Sequence, residues 1–142
     1  MAKRLSNDVR ELLMTAARRA ANCAHAPYSG VRVGAAVLTG NDRLFVGCNV
    51  ENASYGLTTC AERVAIQNAV AAGEKTIAAV AVFSPDIKCI TPCGACRQVM
   101  AEFSSPASPG PLIIVEGKKG TETIPLGKLL PRAFCSPKNK KR

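Results

Sequence analysis

A three-layer α/β fold, with helices on both faces of a mixed β-sheet, is what this sequence predicts, and three observations carry that expectation. Segments of strand period alternate with segments of helical period after an initial pair of strands, which favours layered sheet and helix over a bundle or an all-β sandwich. Two apolar runs, residues 77–83 (I-A-A-V-A-V-F) and 112–115 (L-I-I-V), contain no polar side chain, as strands covered on both faces require. The length of 142 residues suits one domain with a sizeable core and is too short for two.

Each element follows from local chemistry. Ser6 is placed to cap a helix, and Val9, Leu12, Leu13, Ala16 and Ala20 recur at helical spacing, so residues 7–24 read as an amphipathic helix with Arg10, Glu11, Arg18 and Arg19 on its polar face. Pro27 stops it, because proline restricts the residue before it and has no N–H for the helical ladder. Tyr28, Ser29 and Gly30 then form a turn. Residues 31–38 and 44–50 read as strands joined through Gly40, Asn41 and Asp42 into a hairpin, with Gly34, Ala35 and Ala36 leaving room for a close neighbour. From Asn49 onward, N-V-E-N-A-S-Y-G-L-T-T is too polar for a buried strand and reads as a loop leading into Cys60. Residues 60–72 read as a second helix closed by Gly73, and residues 92–103 as a third. Residues 104–111 (S-S-P-A-S-P-G-P) are a loop by composition, and residues 124–130, with Leu126, Leu129 and Leu130, form a short helix before Pro131.

Apolar residues make up 47% and charged residues 20% of the chain, ordinary globular usage that excludes disordered and fibrous classes. No apolar run approaches the roughly 20 residues that span a bilayer, and the start M-A-K-R-L-S-N-D-V-R-E lacks the apolar segment of a secretory signal. A cytoplasmic protein with no membrane partner is expected. The net charge of +9 sits at the ends: residues 1–20 carry five Lys/Arg against two acids, and residues 132–142 carry five against none. A near-neutral body with two Tyr, four Phe and no Trp argues against a nucleic-acid groove, which needs a basic face and aromatic platforms. Residues 137–142 therefore read as a basic, solvated tail on a single domain spanning residues 1–136.

The chemistry concentrates in T-C-A-E-R (residues 59–63) and T-P-C-G-A-C-R-Q (residues 91–98). Seven cysteines, two of them in C-x-x-C spacing, suit metal chemistry in a reducing compartment better than a disulfide framework. Cys93 and Cys96 project from one helical turn and can grip one ion, and Cys60, opening another helix, is the natural third ligand. Helix N-termini favour thiolate over thiol at such positions. Three protein ligands leave the fourth tetrahedral position open, which distinguishes a catalytic zinc from a structural one. Glu62, two residues beyond Cys60, is placed to move the proton of a metal-activated water rather than to bind the metal. Three thiolates on a divalent zinc leave about one net negative charge, and Arg63 is the candidate to offset it. Other readings of these residues stay open: Cys89 could close a four-cysteine structural site, and C-x-x-C alone also occurs in redox proteins. Cys23, Cys48, Cys89 and Cys135 are otherwise most simply packing residues.

Nearly the whole chain resembles the short, single-domain, three-cysteine cytidine deaminases. The resemblance rests on A-P-Y-S-G-V-R-V-G-A-A, G-C-N-V-E-N-A-S-Y-G, C-A-E-R, P-C-G-A-C-R-Q and L-L-P-R-A-F. It implies a five-stranded sheet, one Zn2+ per subunit, a homotetramer, and hydrolytic deamination of cytidine and 2′-deoxycytidine to the uridine products in pyrimidine salvage. By motif position it makes Cys60, Cys93 and Cys96 the zinc ligands and Glu62 the acid/base, with the Ala61 backbone at the pyrimidine edge and Asn49 and Glu51 at the ribose. Arg63 matches an arginine that hydrogen-bonds to ligand sulfurs. Tyr55 and Phe134 are expected to reach a neighbouring subunit's site. One departure stands out: where the family commonly places an aromatic ring against the pyrimidine, this chain has Val31. Deaminases of nucleoside-like antibiotics such as blasticidin S share the zinc motifs, but retention of N-V-E-N argues for a nucleoside substrate.

Overall fold

The computed structural model of the chain describes residues 5–105 and 108–136, so the basic tail at residues 137–142 lies outside the described residues. Helix α1 (Asn7–Ala21) is followed by strands β1 (Gly34–Thr39) and β2 (Leu44–Cys48), helix α2 (Ala61–Ala71), strand β3 (Ile77–Phe83) and helix α3 (Gly94–Glu102). Strands β4 (Leu112–Gly117) and β5 (Gly120–Pro125) and the single-turn helix α4 (Leu126–Leu129) complete it.

The five strands form one mixed sheet in the order β2-β1-β3-β4-β5, in which only β3 and β4 run parallel. Alternation divides each central strand between two apolar clusters. Ala36, Ala79, Ala81 and Ile114 pack on one face against Leu13, Met14 and Ala17 of α1. Ala35, Val37, Val80, Val82, Ile113 and Val115 pack on the other against Ala65, Ile66 and Ala69 of α2 and Cys96 and Met100 of α3. The layers are thus α1, sheet, and α2 with α3, the architecture expected from sequence.

Two glycines set how closely the helices approach the sheet. A Cβ on Gly34 would lie 2.0 Å from the carbonyl oxygen of Ala17 in α1, and one on Gly47 would lie 2.4 Å from the amide nitrogen of Ala65 in α2. No larger side chain fits either place without moving a helix.

Several expectations need correction. Residues 120–125 form an edge strand, and only residues 126–129 of the expected helix are helical. Ile124 is the one large apolar side chain in β5, so no alternating apolar pattern announces that strand. Helix α1 ends at Ala21, short of residue 24. Its buried stripe is Leu13, Met14, Ala17, Ala20 and Ala21, while Leu12 is 60% exposed. Strand β1 starts at Gly34, since residues 31–33 bond to Asn49 and Asp86 outside any ladder. The loop before Cys60 holds a 3-10 turn at Tyr55–Leu57 and a backbone bridge between Val50 and Thr59. Cys23, Cys89 and Cys135 are exposed rather than packed, and only Cys48 of the four is half-buried. No helix among the described residues is long and apolar enough to cross a membrane.

Candidate active site

The site lies at the end of the sheet where β1 begins and β2 and β3 finish, because Gly34 pairs with both Cys48 and Phe83 there. The segments running off that end, 31–33, 49–51 and 84–91, converge with the N-termini of α2 and α3. Cys60 is the N-cap of α2 and Cys93 the N-cap of α3, both extended in backbone, and Cys96 sits one turn inside α3. Helix geometry thus points two sets of unpaired amides at one spot and favours negative charge on sulfur.

The sulfur atoms of Cys60, Cys93 and Cys96 all lie within 4.8 Å of one another, with 3.9 Å between Cys60 and Cys93 and 3.5 Å between Cys93 and Cys96. A tetrahedral ion with Zn–S bonds of about 2.3 Å sets sulfur to sulfur distances of about 3.8 Å, so the three donors fit one zinc. Their burial grades from exposed Cys93 through half-buried Cys60 to fully buried Cys96, which leaves the solvent side of the cluster without a protein ligand among the described residues. Cys89 is not part of the cluster. It lies in a hollow beside Glu116, Lys118 and Glu122 of the β4–β5 hairpin, which disfavours a closed four-cysteine site.

Arg63 supplies the positive charge. A terminal guanidinium nitrogen donates to the Cys60 sulfur at 3.5 Å and to the Thr58 carbonyl at 3.3 Å, while its Nε is buried with no hydrogen-bond partner among the described residues. A buried donor left unpaired next to sulfur is stabilised by thiolate rather than thiol. Without metal, hydrogen bonding from the Cys96 thiol and from Arg63 brings Cys60 down to about 5. Cys96 moves up, since its proton bonds to the Cys60 sulfur and burial disfavours a second anion. A divalent ion held by the three sulfurs would favour thiolate at both residues.

Glu62, in the first turn of α2, is 4% exposed. Burial is the main force pushing its carboxyl up to about 7, and the neighbouring Cys60 thiolate adds to it. Such a group can hold or release a proton near neutral pH.

A cleft of about 190 Å³ opens above Cys60, Glu62 and Cys93, with Val31 and Val33 of the segment before β1 and Ile90 and Thr91 of the segment before α3 as two of its walls. Ala61 and Asn49 also line it. It adjoins an outer hollow of about 360 Å³ bounded by Tyr28, Ser29, Glu51, Tyr55 and Thr58. Ser29 and Thr58 belong to both. A larger cavity of about 430 Å³ lies at the opposite end of the sheet, near Val9, Thr39 and Leu112, away from the sulfur cluster.

The residues expected at the sugar are here, with structural duties of their own. Asn49 accepts the Val33 N–H at 2.8 Å through Oδ1 and donates to the Val31 carbonyl at 2.8 Å through Nδ2, so it braces the cleft wall and keeps one N–H and one lone pair. Glu51 accepts the N–H groups of Tyr28 and Ser29 at 3.0 and 3.1 Å, and hydrogen bonding from Ser29 lowers its carboxyl. Tyr55 stacks edge-on against Tyr28 with ring centres 5.9 Å apart, yet is 75% exposed. Phe134, also 75% exposed, lies outside its own chain's cleft, and its carbonyl accepts from Gln98. Sequence reasoning did not single out Val33, Thr58, Ile90 or Thr91, whose only signal was adjacency to the motifs.

Comparison with known proteins agrees with this geometry. Residues 7–108 match the family model for the cytidine and deoxycytidylate deaminase zinc-binding region. A cytidine deaminase of Sporosarcina psychrophila is 41% identical over 124 residues, covering 87% of this chain and 90% of that protein. A probable cytidine deaminase of Dictyostelium discoideum is 42% identical over 132 residues, covering 92% and 86%. The crystal structure of cytidine deaminase from Burkholderia pseudomallei superposes with a TM-score of 0.79 at 43% identity, over 92% of this chain and all of that one. With the match spanning sheet, helices and sulfur cluster alike, the chain belongs to the cytidine and deoxycytidylate deaminase family.

Proposed function

We propose that the protein deaminates cytidine and 2′-deoxycytidine by hydrolysis, giving uridine and 2′-deoxyuridine, as an enzyme of pyrimidine salvage. The observation that carries this is a three-sulfur cluster, open on its solvent side, with a buried carboxyl beside it at the floor of a base-sized cleft. Cys60, Cys93 and Cys96 hold one zinc, and zinc there supplies a water acidic enough to act as a nucleophile at neutral pH.

The chain's own groups do the rest. Glu62 accepts one proton of the attacking water and delivers it to the ring nitrogen next to carbon 4, then carries the remaining hydroxyl proton to the amino group on carbon 4, whose C–N bond breaks to release ammonia as the product's carbonyl forms. The Ala61 backbone meets the pyrimidine edge, and Val31 and Val33 lie against the ring face. Asn49 and Glu51 use their remaining hydrogen-bonding capacity on sugar hydroxyls. Arg63 keeps the sulfur-rich centre from becoming too electron-rich to acidify water.

The active assembly is a homotetramer. Tyr55, Leu57 and Phe134 are 75%, 68% and 75% exposed in the single chain, and large apolar side chains this open favour burial against a neighbouring copy. Tyr55 and Phe134 then complete a neighbour's cleft. Residues 1–136 act as one catalytic domain in the cytoplasm. A spectroscopic deamination assay on cytidine, with zinc quantified in the same preparation, tests the reading. Activity on blasticidin S alone would overturn it, as would deamination of single-stranded DNA or RNA as efficient as that of cytidine.

A further inference from the structure

The two walls of the cleft are tied together at a point that the catalytic groups do not touch. Asp86, on the loop leaving β3, accepts three hydrogen bonds from Arg32: from the backbone N–H at 2.8 Å, from Nε at 3.1 Å and from a terminal nitrogen at 3.1 Å. Arg32 stands between Val31 and Val33, which form one wall, and the loop carrying Asp86 continues to Ile90 and Thr91, which form the other. Both halves are anchored behind the staple. Asn49 holds the 31–33 backbone, and the hydroxyl of buried Ser84 accepts the N–H groups of Asp86 and Ile87, each at 3.1 Å.

We propose that Arg32 and Asp86 are positioning residues that fix the separation of the two cleft walls and thereby tune nucleoside binding. This rests on the nucleoside reading given above. The side chains of the pair are 47% and 28% exposed, so an ordinary surface ion pair here would add little to global stability. A planar guanidinium and a backbone amide sharing one carboxylate do define a direction as well as a distance, which a single lysine contact would not. Residues 31–33 belong to no strand, so apart from the staple they are held by Asn49, by the Ser29 hydroxyl that accepts the Val31 N–H at 3.0 Å, and by the packing of Val33 on the core.

The test uses the zinc-loaded full chain. Arg32→Ala keeps the backbone bond and should raise the KM for cytidine about threefold, whereas Asp86→Ala removes all three bonds and should raise it about tenfold, with kcat within about twofold of wild type and zinc content unchanged. Asp86→Asn keeps an acceptor for the Arg32 N–H and should fall between. Hydrogen exchange should quicken at the amides of residues 31–33 and 87–91 in Asp86→Ala and stay unchanged in β3. KM values equal to wild type in all three variants would overturn the positioning role, and so would a fall in kcat, zinc content and melting temperature together. Wild-type protein that neither binds nor deaminates cytidine would instead overturn the nucleoside reading, and the exchange comparison would still report whether the staple orders the walls.

Discussion

Replacing either close-packed glycine by alanine should separate the helix that carries chemistry from the helix that only supports the sheet. A Cβ on Gly47 would lie 2.4 Å from the Ala65 nitrogen, 2.6 Å from the Ala61 oxygen and 2.9 Å from the Val64 Cβ. Ordinary contact begins at 3.4 Å, so α2 must retreat by about 1 Å, because the two nearest atoms are backbone and the third is a Cβ, none of which a rotamer change can move. Overpacking of this kind costs roughly 1–3 kcal/mol, which for a domain of this size lowers the melting temperature by about 3–10 °C. The same shift carries Cys60 and Glu62 relative to Cys93 and Cys96, and a misplacement of about 1 Å at reacting groups can cost about 10²-fold in rate. A Cβ on Gly34 meets α1 even more closely, at 2.0 Å from the Ala17 oxygen, but α1 contributes no metal ligand or acid/base. Gly34→Ala should therefore destabilise at least as much while keeping kcat per bound zinc within about threefold of wild type. Thermal melts at one protein concentration, with zinc content and cytidine turnover on the folded fraction, make the comparison. Equal loss of kcat in the two variants, or wild-type kcat per zinc in Gly47→Ala, would refute the assignment of α2 as the helix that sets catalytic geometry.

Three further outcomes are expected. Glu62→Gln should bind zinc at wild-type stoichiometry and lose about 10²–10⁴-fold in turnover, because the amide cannot shuttle a proton; metal loss in that variant would make Glu62 a ligand. Cys89→Ser should leave zinc content and activity unchanged, and depletion of metal would restore the four-cysteine site. Val31→Phe should lower the KM for cytidine about fivefold, the equivalent of the ~1 kcal/mol that an added ring contact contributes; an unchanged or higher value would mean that the cleft has no space for the ring.

The layered fold was legible because its central strands are apolar throughout and its helices are bounded by capping, glycine and proline signals. Residues 77–83 and 112–115 matched β3 and the core of β4 for that reason. Strand β5 was missed since an edge strand with threonines toward α1 and a glutamate toward the other face shows no apolar alternation. The buried stripe of α1 was misjudged by about one position because Leu12 and Leu13 are equally apolar, and only the sheet's location decides which of them is inside.

The approach of the Cys93 and Cys96 sulfurs was readable from spacing, as C-x-x-C in one turn forces two sulfurs to a common side whatever surrounds them. That Cys60 joins them and Cys89 does not depends on which helix N-terminus the sheet places opposite α3, a contact across more than thirty residues of chain. The duties of Asn49 and the Arg32–Asp86 staple likewise arise only where separate loops meet at one end of the sheet. Local sequence chooses residue types, caps and periods, since those act within a few bonds. Burial, partner and charge state are set largely by neighbours that only folding brings together, and the burial that chiefly raises the carboxyl of Glu62 belongs to that second class.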